Sequence, residues 1–273
     1  MVSSTISHHV GTPSQFNPQQ KMLNSLPLTT DSLKNIQLIA TDIDGTLTSN
    51  DKFTPELLQA IERINTQGLK LLLVTGRSAG WVSALNNYLP VAGAIAENGG
   101  IFFQPSGEFD LLTPIKSISE HREKLANVFW ELQERYPQIE ESIDNQFRIT
   151  DWTFDVQNVT AAQLWEIASQ CEQWGWGFTY STVQCHIKPL NQDKAQGIIQ
   201  VLKQHFSKLK RTSIVTVGDS PNDSSMFDPS LFPHSVGVAN IQHYADELTH
   251  QPHYVTQLAE VAGFCELVNL LVD

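Results

Sequence analysis

From Ile36 onward, short apolar runs alternate with amphipathic segments, and the alternation is broken only once, between about residues 114 and 189. Such alternation builds a parallel sheet, because two parallel strands need a crossover and a helix supplies it. "IQLIATD" reads as the first strand. "TPELLQAIERINTQG" follows as a helix, with Thr54 as cap, Pro55 in the first turn, apolar residues at 57, 58, 61 and 64, and Gly68 at its end. "LKLLLVTGR", "AGAIAENGG", "SIVTVGD", "SVGVAN" and "HYVT" read as further strands. "AGWVSALNNYL", "DKAQGIIQVLKQHF", "NDSSMFD" and "LAEVAGFCELVNLLV" read as helices, and "IFFQPSGEFDLL" as a hairpin around Pro-Ser-Gly.

Inside the interruption the texture differs. Residues 117–136 and 160–174 have helical spacing; 139–143 and 147–156, around "DNQ", read as strands, as do "FTYS" and "VQCHIKP". The order αββαββ makes an antiparallel sheet layered on helices. The expected fold is therefore α/β: a Rossmann-like parallel-sheet core over 35–113 and 190–273, with an α+β domain inserted at 114–189. Residues 1–34, polar and rich in Ser, Gln, Asn and Pro, are expected to form a disordered tail.

Charge narrows the partners. With 17 Lys+Arg against 29 Asp+Glu, a net charge of -12 and no basic run, the chain repels nucleic acid and anionic membrane. No stretch reaches the roughly 18 consecutive apolar residues of a membrane span, and no apolar run of signal-peptide length stands near residue 1, so a cytoplasmic location is expected. The three cysteines, Cys171, Cys185 and Cys265, are far apart and without C-x-x-C spacing, which points to free thiols.

Four polar clusters follow strands or open a helix: Asp42, Asp44 and Thr46; Thr75, Gly76 and Arg77; Lys194; and "GDSPND", Gly218 to Asp223. Parallel strands bring their carboxyl ends to one edge, so these clusters should converge. Asp42 and Asp44, two apart on an extended chain, address one site from one face. Carboxylates from Asp42, Asp219 and Asp223 are hard ligands suited to Mg²⁺. Thr75, Lys194, Asn222 and turn amides suit a phosphoryl group. In that setting Asp42 can attack phosphorus and Asp44 can protonate the leaving oxygen, then deprotonate water. Arg77 reads equally as part of the site or simply as a salt-bridging or capping arginine. The spacing excludes an EF-hand, a P-loop and a dinucleotide fingerprint.

"DIDGTLT", "VTGR", Lys194 and "GDSPND" resemble the four motifs of the haloacid dehalogenase superfamily in its phosphatase branch, a likeness running from Ile36 to the C-terminus. The resemblance implies Asp42 as nucleophile and Asp44 as acid and base. It places Mg²⁺ on Asp42, the Asp44 carbonyl, Asp219 and Asp223, and the phosphate on Thr75, Gly76, Lys194 and Asn222. The inserted domain is similar to the caps of sucrose-phosphate phosphatase, mannosyl-phosphoglycerate phosphatase and archaeal-type phosphoglycolate phosphatase, which implies a small phosphorylated metabolite such as a sugar phosphate. A phosphomutase using the same intermediate and a silent phosphometabolite-binding protein are the alternatives.

Within the insert, "VQCHIKP" alternates so that Gln184, His186 and Lys188 share one face. His186, Lys188 and Arg148, expected on the neighbouring strand, are candidate substrate contacts. The tryptophans of the insert read as core, with one able to stack on a sugar ring.

Overall fold

In the computed structural model the described residues are 23–29, 33–181 and 183–272. The chain runs β1 (Leu26–Pro27), β2 (Leu38–Thr41), α1 (Pro55–Thr66), β3 (Lys70–Val74), α2 (Ala79–Tyr88), β4 (Gly93–Ala96), β5 (Ile101–Phe103) and β6 (Phe109–Leu111). There follow α3 (Ile118–Arg135), β7 (Trp152–Asp155), α4 (Ala161–Gln173), β8 (Trp176–Tyr180) and β9 (Gln184–Pro189). The last part holds α5 (Lys194–His205), β10 (Ile214–Gly218), β11 (Ser235–Gly237), β12 (Tyr254–Val255) and α6 (Glu260–Val272).

Among the described residues the large sheet has the order β1-β12-β11-β10-β2-β3-β4-β5-β6, parallel from β1 to β4, with β5 and β6 as an antiparallel hairpin at the edge. Because side chains alternate along a strand, β2 sends Ile39 to one face and Leu38 and Ala40 to the other. Helices α1 and α6 cover the first face through Leu57, Ile61, Ile64, Phe264 and Leu267; α5 covers the second through Ile198, Val201 and Leu202. Burying each such Leu, Ile or Phe contributes about 1.5–3 kcal/mol. The α/β core with an α+β insert is thus the expected one.

Two local expectations need correction. Of the stretch 1–34 expected to be a disordered tail, residues 1–22 and 30–32 lie outside the described residues. Its described part is ordered, since β1 pairs in parallel with β12 and Leu28 and Leu33 are buried. In the insert the sheet has three strands, ordered β7-β9-β8 and antiparallel. The strand expected at 139–143 is reduced to a single bridge, Glu141 to Phe154, and 143–147 is a 3₁₀ turn. Asn145 is the cause: its side-chain amide donates to Thr153 O at 2.7 Å and its Oδ1 accepts from Thr153 N at 2.9 Å, replacing the backbone pairing a strand would make. Arg148 consequently stands in a loop, not on a strand.

Candidate active site

The parallel core strands β2, β3 and β10 end on one edge, and the chain leaves each with a polar cluster. Asp42 continues the β2 ladder by one residue, donating its N–H to Val217 O at 2.9 Å, and is 4% exposed. Lys194, at the first turn of α5, is fully buried, and its Nζ lies 2.6 Å from both Asp42 Oδ1 and Asp223 Oδ1. Burial pushes this ammonium's pKa down, but Asp223 and Asp42 outweigh it and hold the group charged.

Asp42, Asp219 and Asp223 offer oxygens that all lie within 4.8 Å of one another. One ammonium among three buried carboxylates leaves an excess of negative charge. Burial, opposed by Lys194 and reinforced by Asp223 and Asp44, raises Asp42 to about 7. Burial, then Asp42 and Asp223, raise Asp219 well above the usual carboxylate range. A hard divalent cation fits this set, since it offsets the charge and accepts oxygen donors. The Asp219 carboxylate is fixed by Thr46 Oγ1, donating at 3.1 Å, and Asn240 Nδ2, donating at 2.9 Å, and each oxygen keeps a lone pair. Gly45, with φ +79°, permits this approach, because a Cβ there would stand 2.3 Å from Asp219 Oδ2. Asp223 also accepts the N–H groups of Asp219 and Ser220 at 2.9 and 3.0 Å, which turns the chain sharply after β10.

Asp44 stands apart from that cluster. Its carboxylate takes a two-pronged pair from Arg77, Nε to Oδ2 at 2.8 Å and Nη2 to Oδ1 at 2.6 Å, and the guanidinium lies 4.9 Å over the Trp81 ring. Arg77 therefore makes a salt bridge, and its partner is a residue of the candidate site. Its backbone N–H donates to Thr75 Oγ1 at 3.1 Å, which leaves the hydroxyl proton of Thr75 free for an oxyanion. Asn222 donates to Asn98 Oδ1 at 3.1 Å, while Asn98 Nδ2, fully buried and without a partner, lies 3.2 Å from where a Cβ on Gly76 would be. An unfilled buried donor beside the Thr75–Gly76 turn suits an anion.

The insert closes this site. Glu97, buried after β4, accepts from Ala79 N at 2.9 Å in the core, and from Ile149 N at 3.0 Å and Thr150 N at 2.6 Å in the insert. The cavity between Asp42, Asp44, Thr75 and Gly76 below and Gln184 and His186 above measures about 10 Å³, room for one water.

The three insert residues expected to meet substrate have different surroundings. Arg148 engages all five N–H groups with protein: Asp144, Asp151, Gln184 and the Gly76 carbonyl, the last at 2.9 Å. Its place is a brace between the insert and the Thr75–Gly76 turn, with no guanidinium N–H left over for the substrate contact that was expected. His186 Nδ1 lies 2.8 Å from Asp151 Oδ2, with its Cε1 and Nε2 over Gly76. Burial lowers its pKa against the pull of Asp151, so the neutral ring donates Nδ1–H to Asp151 and turns Nε2 to the cavity. Lys188 is buried and donates to Gln192 O at 2.5 Å.

Asn98, Glu97 and Asn240 escaped the sequence reading. The signal for the first two was the "ENGG" after β4, where Glu97 and Asn98 take φ of 53° and 52°. Asn240 follows β11, one strand further along the same edge. Among the insert's aromatics, Trp152, Trp174 and Trp176 pack on its core, whereas Trp130 and Trp165 are 54% and 76% exposed.

A family model described as haloacid dehalogenase-like hydrolase matches residues 39–117 and 113–266. A phosphoglycolate phosphatase of Thermoplasma acidophilum is 29% identical over 194 residues, 70% of this chain and 81% of the relative. One from Metallosphaera sedula is 28% identical over 245 residues, 87% of this chain and 100% of the relative. Among solved structures, a Thermoplasma acidophilum protein superposes with TM-score 0.69 at 22% identity, covering 86% of this chain and 99% of its own. The sucrose-phosphatase of Synechocystis, in complex with sucrose and phosphate, gives TM-score 0.66 at 18% identity over 86% and 97%.

Proposed function

The chain belongs to the haloacid dehalogenase-like hydrolases, and from that premise we propose that it is a Mg²⁺-dependent phosphatase of a small phosphorylated metabolite, working through an aspartyl-phosphate. The observation that carries this reading is the pairing at Asp42: its Oδ1 is held by Lys194, which is itself anchored on Asp223, while Asp219 offers an oxygen within 4.8 Å of those of Asp42 and Asp223. Such an arrangement fixes the carboxylate and leaves Oδ2 to attack.

In the reaction, Asp42 Oδ2 bonds to phosphorus as the bond from phosphorus to the ester oxygen breaks. That oxygen takes a proton from Asp44. Water then attacks the phosphoryl group, giving its proton to Asp44 and returning Asp42 as carboxylate. Arg77 holds the Asp44 carboxylate by both oxygens, which orients it to take the proton of water, and one of the two contacts opens when Asp44 carries the proton. Lys194, Thr75, Asn222 and Asn98 supply donors where charge develops on the transferring group. Asp42, Asp219, Asp223 and the Asp44 carbonyl would hold a divalent cation, which would supply the charge neutralisation a carboxylate needs to approach a phosphate dianion.

The cavity of about 10 Å³ admits no metabolite, so substrate enters when the insert parts from the core. The named activity of the relatives supports a phosphoglycolate-like acid ahead of a sugar phosphate. The test is phosphate release from phosphoglycolate, sugar phosphates and an aryl phosphate, with Mg²⁺ or with EDTA. Release that depends on Mg²⁺ is expected. Transfer of the phosphoryl group between sugar positions without release would instead make the chain a mutase.

A further inference from the structure

A second cavity lies on the other side of Asn222. It encloses about 370 Å³, and its walls include Lys188 and Thr179 from the insert and Asn98, Lys194, Asn222 and Ser224 from the core. Asn222 lines both this cavity and the one above Asp42.

Two of the polar groups on these walls, Lys188 and Ser224, keep donor capacity to spare. Lys188 is 7% exposed, and its ammonium has the Gln192 carbonyl as partner, with no carboxylate at salt-bridge distance among the described residues. Burying a cation in that state costs several kcal/mol unless an anion joins it. Gly177 stands directly opposite Lys188 on β8, and a Cβ there would come within 3.2 Å of Nζ, so the strand pairing keeps space beside the ammonium. Ser224 Oγ is buried without a partner. Two carboxylates also face the cavity: Asp193, which caps α5 through Gln196 N and is the nearest-acting negative charge on Lys188 without reaching salt-bridge distance, and Asp228, which accepts from Ser230 N. A cation with donor positions to spare and an unfilled hydroxyl donor complement an oxyanion.

We propose that this cavity holds the carboxylate of the substrate's leaving group, paired with Lys188, so that the substrate is the phosphate monoester of a small hydroxy acid. The inference rests on the phosphatase reading and deepens it. Lys188 is then the residue that separates such acids from uncharged phosphate esters of the same size.

The test compares 2-phosphoglycolate with 2-hydroxyethyl phosphate, in which a hydroxyl group replaces the carboxylate, on the native protein and on Lys188→Gln. Loss of a charge-assisted hydrogen bond predicts a fall of roughly 10- to 150-fold in kcat/KM for phosphoglycolate, and a far smaller fall for hydroxyethyl phosphate. Lys188→Arg should recover part of the difference. An equal loss on both esters, or no loss on either, overturns the proposal. Ser224→Ala, which leaves no charge unpaired, gives a second route if Lys188→Gln does not fold: the same selective direction is expected, and an unselective effect overturns it. Should the native protein hydrolyse neither of these esters and no sugar or aryl phosphate either, the phosphatase reading fails, and calorimetry on Asp42→Asn then decides the cavity separately. Phosphoglycolate binding there should exceed that of inorganic phosphate and lose the excess in Asp42→Asn with Lys188→Gln. Equal binding of the two, or an excess that survives the second substitution, overturns the proposal.

Discussion

At Lys194 a fully buried ammonium is shared by two carboxylates, each 2.6 Å away. Lys194→Met leaves Asp42 and Asp223 facing each other without a cation. The expected cost is about 3–5 kcal/mol of stability, read by urea unfolding, and roughly 10²–10³-fold in kcat. Arg77 acts differently, because it touches Asp44 and not the phosphoryl group. Arg77→Ala should lower kcat by roughly 10²-fold with little change in KM, and the loss should be larger for alkyl than for aryl esters, whose leaving group needs less protonation. An equal loss on both ester types would remove Arg77 from the proton-transfer step. Asp42, Asp44, Thr75, Lys194, Asp219 and Asp223 were legible in the sequence because each ends an apolar run or opens a helix, and parallel topology then gathers them. Asn98 and Asn240 were not, since amides in turns carry no periodicity and are placed by contacts distant in sequence.

The same limit operates on elements. Helices α1, α3, α4, α5 and α6 were readable from spacing and caps, whereas 139–143 reads as a strand yet makes a single bridge, and 143–147 is a 3₁₀ turn. There Ile143 is 90% exposed and Phe147 53%, and the Asn145 side chain does the pairing that a strand backbone would do. That turn matters because it delivers Ile149 and Thr150 to Glu97 and Arg148 to the Gly76 carbonyl. Glu97→Gln sets an amide group against backbone N–H donors, so a loss of about 1–3 kcal/mol is expected, together with a raised KM as the insert loses its anchor. Gly100→Ala tests the contact by shape: its Cβ would lie 1.9 Å from Thr150 Oγ1, and the insert must shift. Unchanged KM in both variants would separate insert placement from catalysis.

For the whole molecule, the excess carboxylate charge couples stability to pH and to metal. Burial raises Asp42 to about 7 and Asp219 well above its ordinary value, so the folded chain binds protons that the unfolded chain releases near pH 4. Stability in EDTA should therefore fall as pH rises from about 4 to 7, and Mg²⁺ should raise Tm most at the upper end of that window. Asp151 runs the other way: burial pushes it up, but Arg148 and His186 outweigh burial and hold it low. Its contribution is present above about pH 4 and lost as pH falls through its lowered value. A Tm in EDTA independent of pH across the upper window would contradict the cation-site reading. The most direct test of the account as a whole is mass mapping of acid-quenched Asp44→Asn protein after reaction with an aryl phosphate and Mg²⁺, where loss of the base that activates water should let the intermediate accumulate. The account predicts one phosphoryl group on the peptide containing Asp42 and none in Asp42→Asn; a phosphoryl group elsewhere, or turnover that persists in Asp42→Asn, would contradict it.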